Sequence, residues 1–356
     1  MLSFAGCGSG SSNEVDAGIG DTSAGDGGNP ALSLSVAGTN LVDGNGHVIH
    51  LRGVNYSGTE YSCVQGNGIF DGPNDEASVQ AIASWHIRSV RLPLNEDCWL
   101  GINGVAAAYS GATYRAAIVE YVKLLHKYGL YVELELHWSA AGTQLATAQD
   151  NMPNVDHSVP FWTSVATTFK DDPAVLFGTF NEPFGVTWPC WLSGGSSCSL
   201  GYTAAGQQQL VDAIRATGAT NVIAISAMDY ANNLTSFLQY KPIDPLHQLL
   251  AEAHIYGGNA CATTACLDQD VVPVAQTMPV IFGEVGEHFS GNQCGATNMM
   301  LFLPWADAHG VSYQAWTWDT WGDCLSLISN FDGTVNASAA QAGTFKSHLA
   351  SLVNTP

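Results

Sequence analysis

Eight short apolar runs recur along the chain, and stretches of helical length separate them. The runs are HLRGVNYS, SVRLPL, LYVELELHW, AVLFGTFNEP, NVIAISAMDY, LLAEAHIY, PVIFGEVGE and VSYQAWTW. The amphipathic stretches between them include EASVQAIASWH, TYRAAIVEYVKLLHKYG, GQQQLVDAIRATG and TNMMLFLPWADAHG. One unbroken series of eight strands with helices between them predicts an α/β fold, a closed (β/α)8 or TIM barrel, rather than an open doubly wound sheet.

The segment before the first run predicts an N-terminal β-hairpin, because LSLSVAGTNLVDGNGHVIH alternates apolar and polar residues around the turn sequence Asp43-Gly44-Asn45-Gly46. We expect this hairpin to form a lid or a floor for the barrel. Residues 1–30 are rich in Gly, Ser, Asp and Asn, as flexible tethers are. They are expected to hold either a lipoprotein signal remnant with Cys7 as the lipidated residue, or a truncated or vector-derived start. The barrel domain is expected to span residues 31–356.

Polar and aromatic side chains gather where the predicted strands end, which is where a barrel of this type has its active site. Two of them are carboxylates: Glu182 ends the fourth strand and Glu284 ends the seventh, across the barrel mouth. Facing carboxylates are what cleavage of a glycosidic bond requires, one as proton donor and one to attack or to activate water. The other candidates at strand ends are Arg91, His137, Trp138, Asn181, His254, Tyr256 and Trp318.

The sequence Phe180-Asn181-Glu182-Pro183, followed by Phe282-Gly283-Glu284, resembles the signature of glycoside hydrolase family 5, a family of (β/α)8-barrel glycosidases. The family's other site positions are matched in the same order along the chain by Arg91 in VRLPL, His137 in LELHW, His254 and Tyr256 in HIY, and Trp318 in AWTW. The resemblance covers residues 31–352, and matching positions in correct strand order are far more specific than a single motif.

The resemblance implies that Glu182 is the general acid/base and Glu284 the nucleophile of a retaining double displacement. We expect the negative charge of Glu284 to raise the pKa of Glu182. Arg91 and the Tyr256 hydroxyl are expected to hold Glu284 in its ionised form by charge and hydrogen bond. Glu287 is the alternative candidate for the nucleophile.

The resemblance also implies which residues bind the substrate. Asn181 is expected to hydrogen-bond the sugar 2-OH, and His137 and His254 to bind substrate and orient the acid. Trp318 is expected to be the platform under the reacting sugar. Sugar rings present apolar faces to indoles, so the cleft floor is expected to carry loop tryptophans, unless these form hydrophobic loop cores: Trp99, Trp138, Trp188, Trp191 and Trp321.

Other polar and aromatic residues near the strand ends are expected to be structural. Glu133 and Glu135 share strand parity with His137 and are expected to be interior partners of Arg88 or Arg91. By the same reasoning Glu252 is expected to be structural, and Trp316 to belong to the core.

Eight of the nine cysteines lie between Cys63 and Cys324, in loops that follow predicted strands. So many cysteines favour an oxidising compartment, and loops after neighbouring strands lie side by side at a barrel mouth. The hypothesis that respects both sequence and barrel neighbours pairs Cys63 with Cys98, Cys190 with Cys198, Cys261 with Cys266, and Cys294 with Cys324.

The chain has 31 acidic and 10 basic residues, a formal charge of −21, which disfavours nucleic acid, anionic membrane surfaces and polyanionic substrates. A neutral or cationic β-linked polysaccharide or oligosaccharide is the expected partner. No run of 18 apolar residues occurs, so no transmembrane segment is expected. Histidines and cysteines lack metal-binding spacings, and no dinucleotide or phosphate-binding fingerprint occurs, so no metal and no cofactor are expected. We expect a monomer.

These patterns together predict a secreted hydrolase, a retaining β-glycosidase, and the first hypothesis is an endo-β-1,4-glucanase, or cellulase, because that activity is widespread in the resembled family. A β-mannanase and an exo-acting β-glycosidase on short glycosides are the alternative enzymes. A non-catalytic carbohydrate-binding barrel is the alternative of another class. It would normally have lost a catalytic carboxylate, and both are present here.

Overall fold

Eight parallel strands close into a barrel in the order in which they follow along the chain. The computed structural model of the protein describes residues 32–287 and 294–353. The strands are β1 (Arg52–Asn55), β2 (Ser89–Asn95), β3 (Tyr131–Trp138), β4 (Val175–Gly178), β5 (Ile223–Ser226), β6 (Leu249–Tyr256), β7 (Val280–Gly286) and β8 (Ser312–Ala315). β8 pairs with β1, with Gln314 opposite Gly53, so the sheet has no open edge. The predicted TIM barrel is confirmed.

Helices cover the outside of the barrel, and each buries one apolar face. In α2 (Ala112–Lys127), the buried residues Tyr114, Ile118, Tyr121 and Leu125 recur every three or four positions, which is the spacing of one helix face. The other barrel helices are α1 (Glu76–Ala83), α3 (Ser158–Phe169), α4 (Gln207–Ala216), α5 (Phe237–Tyr240), α6 (Thr264–Asp270), α7 (Thr297–Ala308) and α8 (Ala340–Ser351). Shorter helical segments span Ser62–Gln65, Glu96–Leu100, Trp188–Ser193, Met228–Ala231 and Val272–Ala275.

A small antiparallel sheet closes the end of the barrel at which the strands begin. Its strands are Ser35–Ala37, Asn40–Val42 and Val48–Ile49, so the expected hairpin is extended to three strands. Leu34 and Leu41 pack in one cluster with apolar residues of the barrel strands, among them Leu176, Leu250 and Ile281. The Leu34 amide donates to the carbonyl of Pro173, just before β4, over 2.8 Å. The sheet is therefore a floor, and the alternative of a lid is wrong.

Four disulfides lie at the opposite end of the barrel, where the strands finish: two join loops that follow different strands, and two lie within the segment after a single strand. They link Cys63 to Cys98, Cys190 to Cys198, Cys261 to Cys266 and Cys294 to Cys324, so the predicted connectivity is confirmed. Disulfides of this kind persist in oxidising compartments, which points to an extracellular location. Within the described residues no helix is long and apolar enough to cross a membrane. The barrel unit begins at Leu32, and the predicted tether with Cys7 lies outside the described residues.

Leu41→Ala is expected to destabilise the barrel by about 2–5 kcal/mol, because it removes a buried side chain, only 3% exposed, from the floor cluster. The free energy of unfolding, measured in urea, tests this. Val48→Ala is the matched control, because Val48 is in the same sheet and 38% exposed, and it should change stability by less than about 0.5 kcal/mol. Equal effects of the two substitutions would contradict the packing role of the floor.

Candidate active site

A fully buried arginine stands at the centre of the barrel, surrounded by carboxylates. The Arg91 guanidinium lies 3.3 Å from Glu252, 3.5 Å from Glu135 and 3.8 Å from Glu133. Side chains alternate along a strand, so Glu133 and Glu135 of β3 both point inward, and Arg91 reaches them from the adjacent β2. These glutamates are interior partners of Arg91, as their strand parity indicates.

Burial and charge divide these carboxylates into two kinds. Burial raises the pKa of Glu133 well above its usual range, and the negative charge of Glu252 adds to that effect. Burial also raises the pKa of Glu252, but Arg91, together with a hydrogen-bonded histidine, outweighs it and lowers that pKa. Glu133 is therefore the carboxyl that holds a proton, while Glu252 stays ionised beside the guanidinium.

Glu284 at the end of β7 is held by two donors from different strands. Arg91 Nη1 donates to Glu284 Oε1 over 3.0 Å, and the Tyr256 hydroxyl donates to Glu284 Oε2 over 2.6 Å. Hydrogen bonds from a cation and a hydroxyl favour the ionised carboxylate. A Cβ atom at Gly283 would lie 1.9 Å from Glu252, so only glycine lets β7 bring Glu284 this close. These contacts hold the Glu284 side chain in a fixed position at the barrel mouth.

Glu182 follows β4 and faces Glu284 across the barrel mouth. The preceding amide, that of Asn181, donates to the carbonyl of Leu136 over 2.9 Å, and Pro183 favours an extended backbone at Glu182. His254 Nδ1 lies 2.8 Å from Glu182 Oε1. One ligand atom each of Glu182, His254 and Glu284 lies within 4.8 Å of the other two. Retaining glycosidases hold their two carboxyl groups about 5–5.5 Å apart, whereas inverting ones leave room for a water between them.

The expectation that Glu182 has a raised pKa is wrong. Burial raises the pKa of Glu182, but the hydrogen bond and the charge of His254 outweigh burial and lower it. The histidine shows the reciprocal effect: burial lowers the pKa of His254, but three nearby carboxylates, first that of Glu284, raise it to about 10. Histidine and glutamate thus stabilise each other as an ion pair in the free enzyme.

Two amides and a second histidine complete the network. Arg91 Nη2 donates to Asn181 Oδ1 over 3.0 Å, and Asn181 Nδ2 donates to Gln149 Oε1 over 2.7 Å. Asn181 Nδ2 also lies 3.4 Å from His137 Nε2. Gln149 Nε2 donates to Glu182 Oε2 over 3.3 Å. Gln149 lies in the long loop after β3, where neither strand periodicity nor a motif points to it, and sequence reasoning missed it.

Seven of the nine predicted site residues therefore share one contact network, and the two tryptophans do not. Trp318 is fully buried, and its ring packs on that of Trp85 with centroids 4.8 Å apart, so it does not face the cleft. Trp316 is buried in a small apolar cluster with Tyr256 and Leu325, as expected of a core residue, and its ring also stacks on that of His137 with centroids 5.7 Å apart. The chain leaves strand geometry after Ala315, so alternation no longer specifies which indole faces the site.

Aromatic rings line one side of the cleft mouth. Trp138 lies beside Tyr61 and Tyr61 beside Trp321, with centroids 6.1 Å and 6.4 Å apart, and Trp321 approaches Trp316 at 6.4 Å. Trp321 is 43% exposed, so its face is accessible to a ligand. Tyr61 was not foreseen. Two of the other loop tryptophans, Trp99 and Trp191, are fully buried and form hydrophobic loop cores.

A cavity of about 600 Å³ opens on the other side of Glu182 and Tyr256. Tyr230 in its wall is 49% exposed, and its ring stacks on that of Phe184 with centroids 4.5 Å apart. The Tyr230 amide donates to the Pro183 carbonyl over 3.1 Å. Asp229, Tyr230 and Ala231 have left-handed φ angles of 54°, 60° and 56°, an uncommon conformation for residues other than glycine, and such conformations cluster at functional sites.

Glu287, the alternative candidate for the nucleophile, binds the N-terminus of a helix. Its Oε1 accepts from the backbone amides of Asn298 and Met299 over 2.9 Å and 3.0 Å, at the beginning of α7. A carboxylate that satisfies the free amides of a helix N-terminus stabilises that helix. Both Glu287 oxygens are thus engaged at the beginning of α7, which favours Glu284 over Glu287 as the candidate nucleophile.

A sequence model described as cellulase, glycosyl hydrolase family 5, matches residues 42–322. The chain belongs to this family. A mannan endo-1,4-beta-mannosidase from Streptomyces lividans is 22% identical over 315 residues, 85% of this chain and 71% of that protein. Endoglucanase E-5 from Thermobifida fusca is 26% identical over 156 residues, 44% of this chain and 29% of that protein. As a member of family 5, the protein is an O-glycosyl hydrolase.

The solved structures show the same fold. A beta-glucanase from Saccharophagus degradans in complex with cellotetraose superimposes with a TM-score of 0.70 at 19% identity, and the match covers 91% of this chain and 94% of that one. At this identity the likeness concerns the (β/α)8 barrel alone. The substrate of this family 5 member therefore has to be argued from its own site.

Three groups of side chains within the described residues bring three donor atoms together at metal-binding distance. They are Cys261, Cys266 and Asp270; Glu96, Asp97 and His157; and Glu182, His254 and Glu284. The two cysteines form a disulfide, and Glu96 accepts hydrogen bonds from Ser158 and Asn154. The third group is the family 5 carboxylate pair with its histidine. The donors of each group already have protein partners, so we assign no metal, and the expected absence of one stays a prediction.

Arg91→Met is expected to destabilise the protein by about 3–5 kcal/mol at pH 7, because it leaves buried carboxylates without their cation. The loss should shrink only as the pH falls below about 4.3, the ordinary pKa of a glutamate in an unfolded chain. Glu252 has a lowered folded pKa, so its contribution to stability is fully present above that value and is lost as the pH falls from there through the folded pKa. Urea unfolding at pH 7 and at about pH 3 measures this. Lys123→Met, which removes an exposed ion pair with Glu120, should have little effect, and an Arg91→Met loss equally small would refute the central role of Arg91.

Proposed function

We propose that the protein is an endo-acting, retaining β-1,4-glucanase, with Glu182 as acid/base and Glu284 as nucleophile. The observation that carries this proposal is the geometry of the two carboxylates. They are close enough for a covalent glycosyl intermediate, and they lie in a cleft with aromatic rings on both sides. An enzyme that cuts inside a polymer needs sugar-binding surfaces on both sides of the scissile bond.

In the first step, a Glu284 oxygen attacks the anomeric carbon, the bond to the leaving oxygen breaks, and a proton passes from Glu182 to that oxygen. The ion pair of Glu182 and His254 holds the proton for this transfer in the 2.8 Å contact between the two groups. In the second step, Glu182 takes a proton from water, the water oxygen attacks the anomeric carbon, and Glu284 leaves as a carboxylate. Atoms and charge balance over the two steps.

Substrate contacts follow from the positions of the polar and aromatic groups around this pair. Asn181 Nδ2 and His137, next to Glu182, are placed to bind hydroxyls of the reacting sugar. Trp316, in place of Trp318, is the platform under that sugar, because its ring lies against His137 and Tyr256. Trp138, Tyr61 and Trp321 continue the aromatic surface away from the carboxylates.

Charge favours a neutral polymer. The loops that follow the eight strands contain no Lys or Arg in their sequence, so among the described residues no loop brings a lysine or an arginine to the face of the barrel with the carboxylates. An acidic surface repels anionic polysaccharides and raises no barrier to uncharged ones. Neutral glucan and neutral mannan both satisfy this condition, which disfavours uronic-acid polymers.

A β-mannanase is the second candidate, and a specific observation favours it. The mannosidase from Streptomyces lividans matches 85% of this chain, whereas the Thermobifida fusca endoglucanase matches 44%. Glucan and mannan differ in the orientation of the C2 hydroxyl, the group that Asn181 is placed to bind. An exo-acting glycosidase and a sugar-binding barrel without activity are the remaining alternatives, and the assay below separates them.

The four disulfides support a secreted enzyme, and we expect it to act as a monomer. Lipid attachment at Cys7 has no support beyond the sequence pattern at residues 1–30. Size-exclusion chromatography with light scattering tests the monomer.

The proposal is tested by measuring reducing ends released from a soluble neutral β-1,4-glucan, a soluble β-1,4-mannan and an aryl β-glycoside. We expect glucan cleavage that falls by at least about 10³-fold in Glu284→Gln, because the nucleophile is lost. Glu287→Gln is the matched control and should keep most of the activity at temperatures at which it is folded. Cleavage of mannan alone would select the second candidate, activity on the aryl glycoside alone the exo-acting enzyme, and binding without cleavage the non-catalytic barrel.

Tyr230→Ala is expected to raise KM for cello-oligosaccharides about 10-fold, because Tyr230 offers an exposed ring in the wall of the cavity next to the acid/base. The expected change for an aryl glycoside, whose leaving group is too short to reach that ring, is less than 2-fold. Steady-state kinetics on oligosaccharides of increasing length measure both. An equal rise in KM for both substrates would show that Tyr230 does not bind the leaving-group part of the oligosaccharide.

A further inference from the structure

Resting on the proposed function, we infer that Gln149 is a positioning residue that holds Glu182 in its carboxylate form. It lies outside the nine residues that the strand ends predicted. Its amide bridges Asn181 and Glu182, with distances of 2.7 Å and 3.3 Å. The direction of both hydrogen bonds is fixed by Arg91, which stands at the beginning of the series Arg91, Asn181, Gln149 and Glu182.

The direction starts at Arg91, which can only donate hydrogen bonds. Arg91 Nη2 contacts the side-chain amide of Asn181 over 3.0 Å, so the atom of Asn181 that faces it is the acceptor Oδ1. The other end of that amide, Nδ2, must then be the donor that faces Gln149. Gln149 therefore presents its oxygen to Asn181, and its NH2 group points at Glu182.

An NH2 group that faces a carboxyl oxygen favours one protonation state. It donates to the ionised carboxylate, but it cannot accept the proton of a neutral carboxylic acid. Turning the Gln149 amide over would place an NH2 group against the Asn181 NH2 group, 2.7 Å away, and would leave two donors facing each other. Through the side-chain amides of Asn181 and Gln149, Arg91 thus keeps a hydrogen-bond donor facing Glu182 Oε2.

The backbone around Gln149 is held on both sides, so the bridge does not depend on a loose loop. The Ser139 amide donates to the carbonyl of Ala148 over 3.2 Å. The Phe184 amide donates to the carbonyl of Asn151 over 3.0 Å, and Asn151 Nδ2 returns a hydrogen bond to the Phe184 carbonyl over 3.2 Å. The loop after β3 is thereby tied to the segment that follows Glu182.

Other charged groups also act on Glu182, and the experiment has to separate them from Gln149. His254 and Tyr256 face it from β6, His137 from β3, Arg91 from β2 and Glu284 from β7, while Asp229 lies in the wall of the same cavity. All of these remain in a variant of Gln149 alone. A change in the pH profile of that variant therefore measures the effect of the Gln149 side-chain amide on Glu182.

The test is the pH dependence of kcat/KM for Gln149→Met and Gln149→Glu, on whichever β-linked oligosaccharide the wild-type protein cleaves. Met keeps the length of the side chain and removes the donor, so the alkaline limb, where the acid loses its proton, should move up by about 0.5–1 pH unit. Glu places a second carboxyl against Glu182 and should move that limb further up. Gln144→Met, at an exposed position of the same loop, should leave the profile unchanged.

Thermal unfolding of each variant shows whether it is folded at the assay temperature. A uniform loss of activity in both Gln149 variants, with the alkaline limb of the wild type unmoved, would overturn the inference and leave Gln149 a structural link between two loops. Failure of the proposed function is a separate outcome, because it would appear as a wild-type protein that cleaves none of the glycosides. A shift in Gln149→Met with none in Gln144→Met would support the inference.

Discussion

The Arg91 guanidinium holds the interior of the barrel and the reactive carboxylate in one set of contacts. A buried arginine is strongly unfavourable without partners, and Arg91 meets carboxylates of β3, β6 and β7. The same side chain donates hydrogen bonds that position Glu284 and fix the orientation of the Asn181 amide. Stability and chemistry therefore share one cation, and a change in Arg91 cannot alter one of them alone.

The two ends of the barrel have different roles, one in stability and the other in forming the cleft. The end at which the strands begin is closed by an apolar floor, in which Leu34 and Leu41 seal the core. The other end has polar strand termini and long loops, which the disulfides tie together. Fixed loops hold a cleft in its binding shape before substrate arrives, so less conformational entropy is lost on binding. The left-handed segment at Tyr230 and the aromatic row at Trp321 both lie on this constrained end.

How far the sequence predicts the site depends on whether regular strand geometry holds at each residue. Arg91 and His254 lie within β2 and β6, where alternation fixes which side chains point inward, and their placement follows from the sequence. Glu284 follows an irregularity in the pairing of β7 with both neighbouring strands, so alternation alone does not turn it inward. Trp316 and Trp318 lie beyond the end of β8, and alternation does not specify that Trp318 packs on Trp85 while Trp316 stacks on His137. Gln149 lies in a loop whose path depends on contacts far away in the sequence, so no local pattern reveals it.

The sequence by itself determined the barrel and the disulfide partners, because these follow from strand order, and it indicated the two carboxylates by their place at strand ends and by the resemblance of their motifs to the family 5 signature. Only the tertiary structure decided the charge state of Glu182. One charged neighbour, Glu284, could be named from the sequence, and it acts in the opposite direction to His254, whose imidazole lies 2.8 Å from Glu182 Oε1. A pKa depends on the distances to all surrounding charges and on burial, and these quantities exist only once the strands are assembled around Arg91.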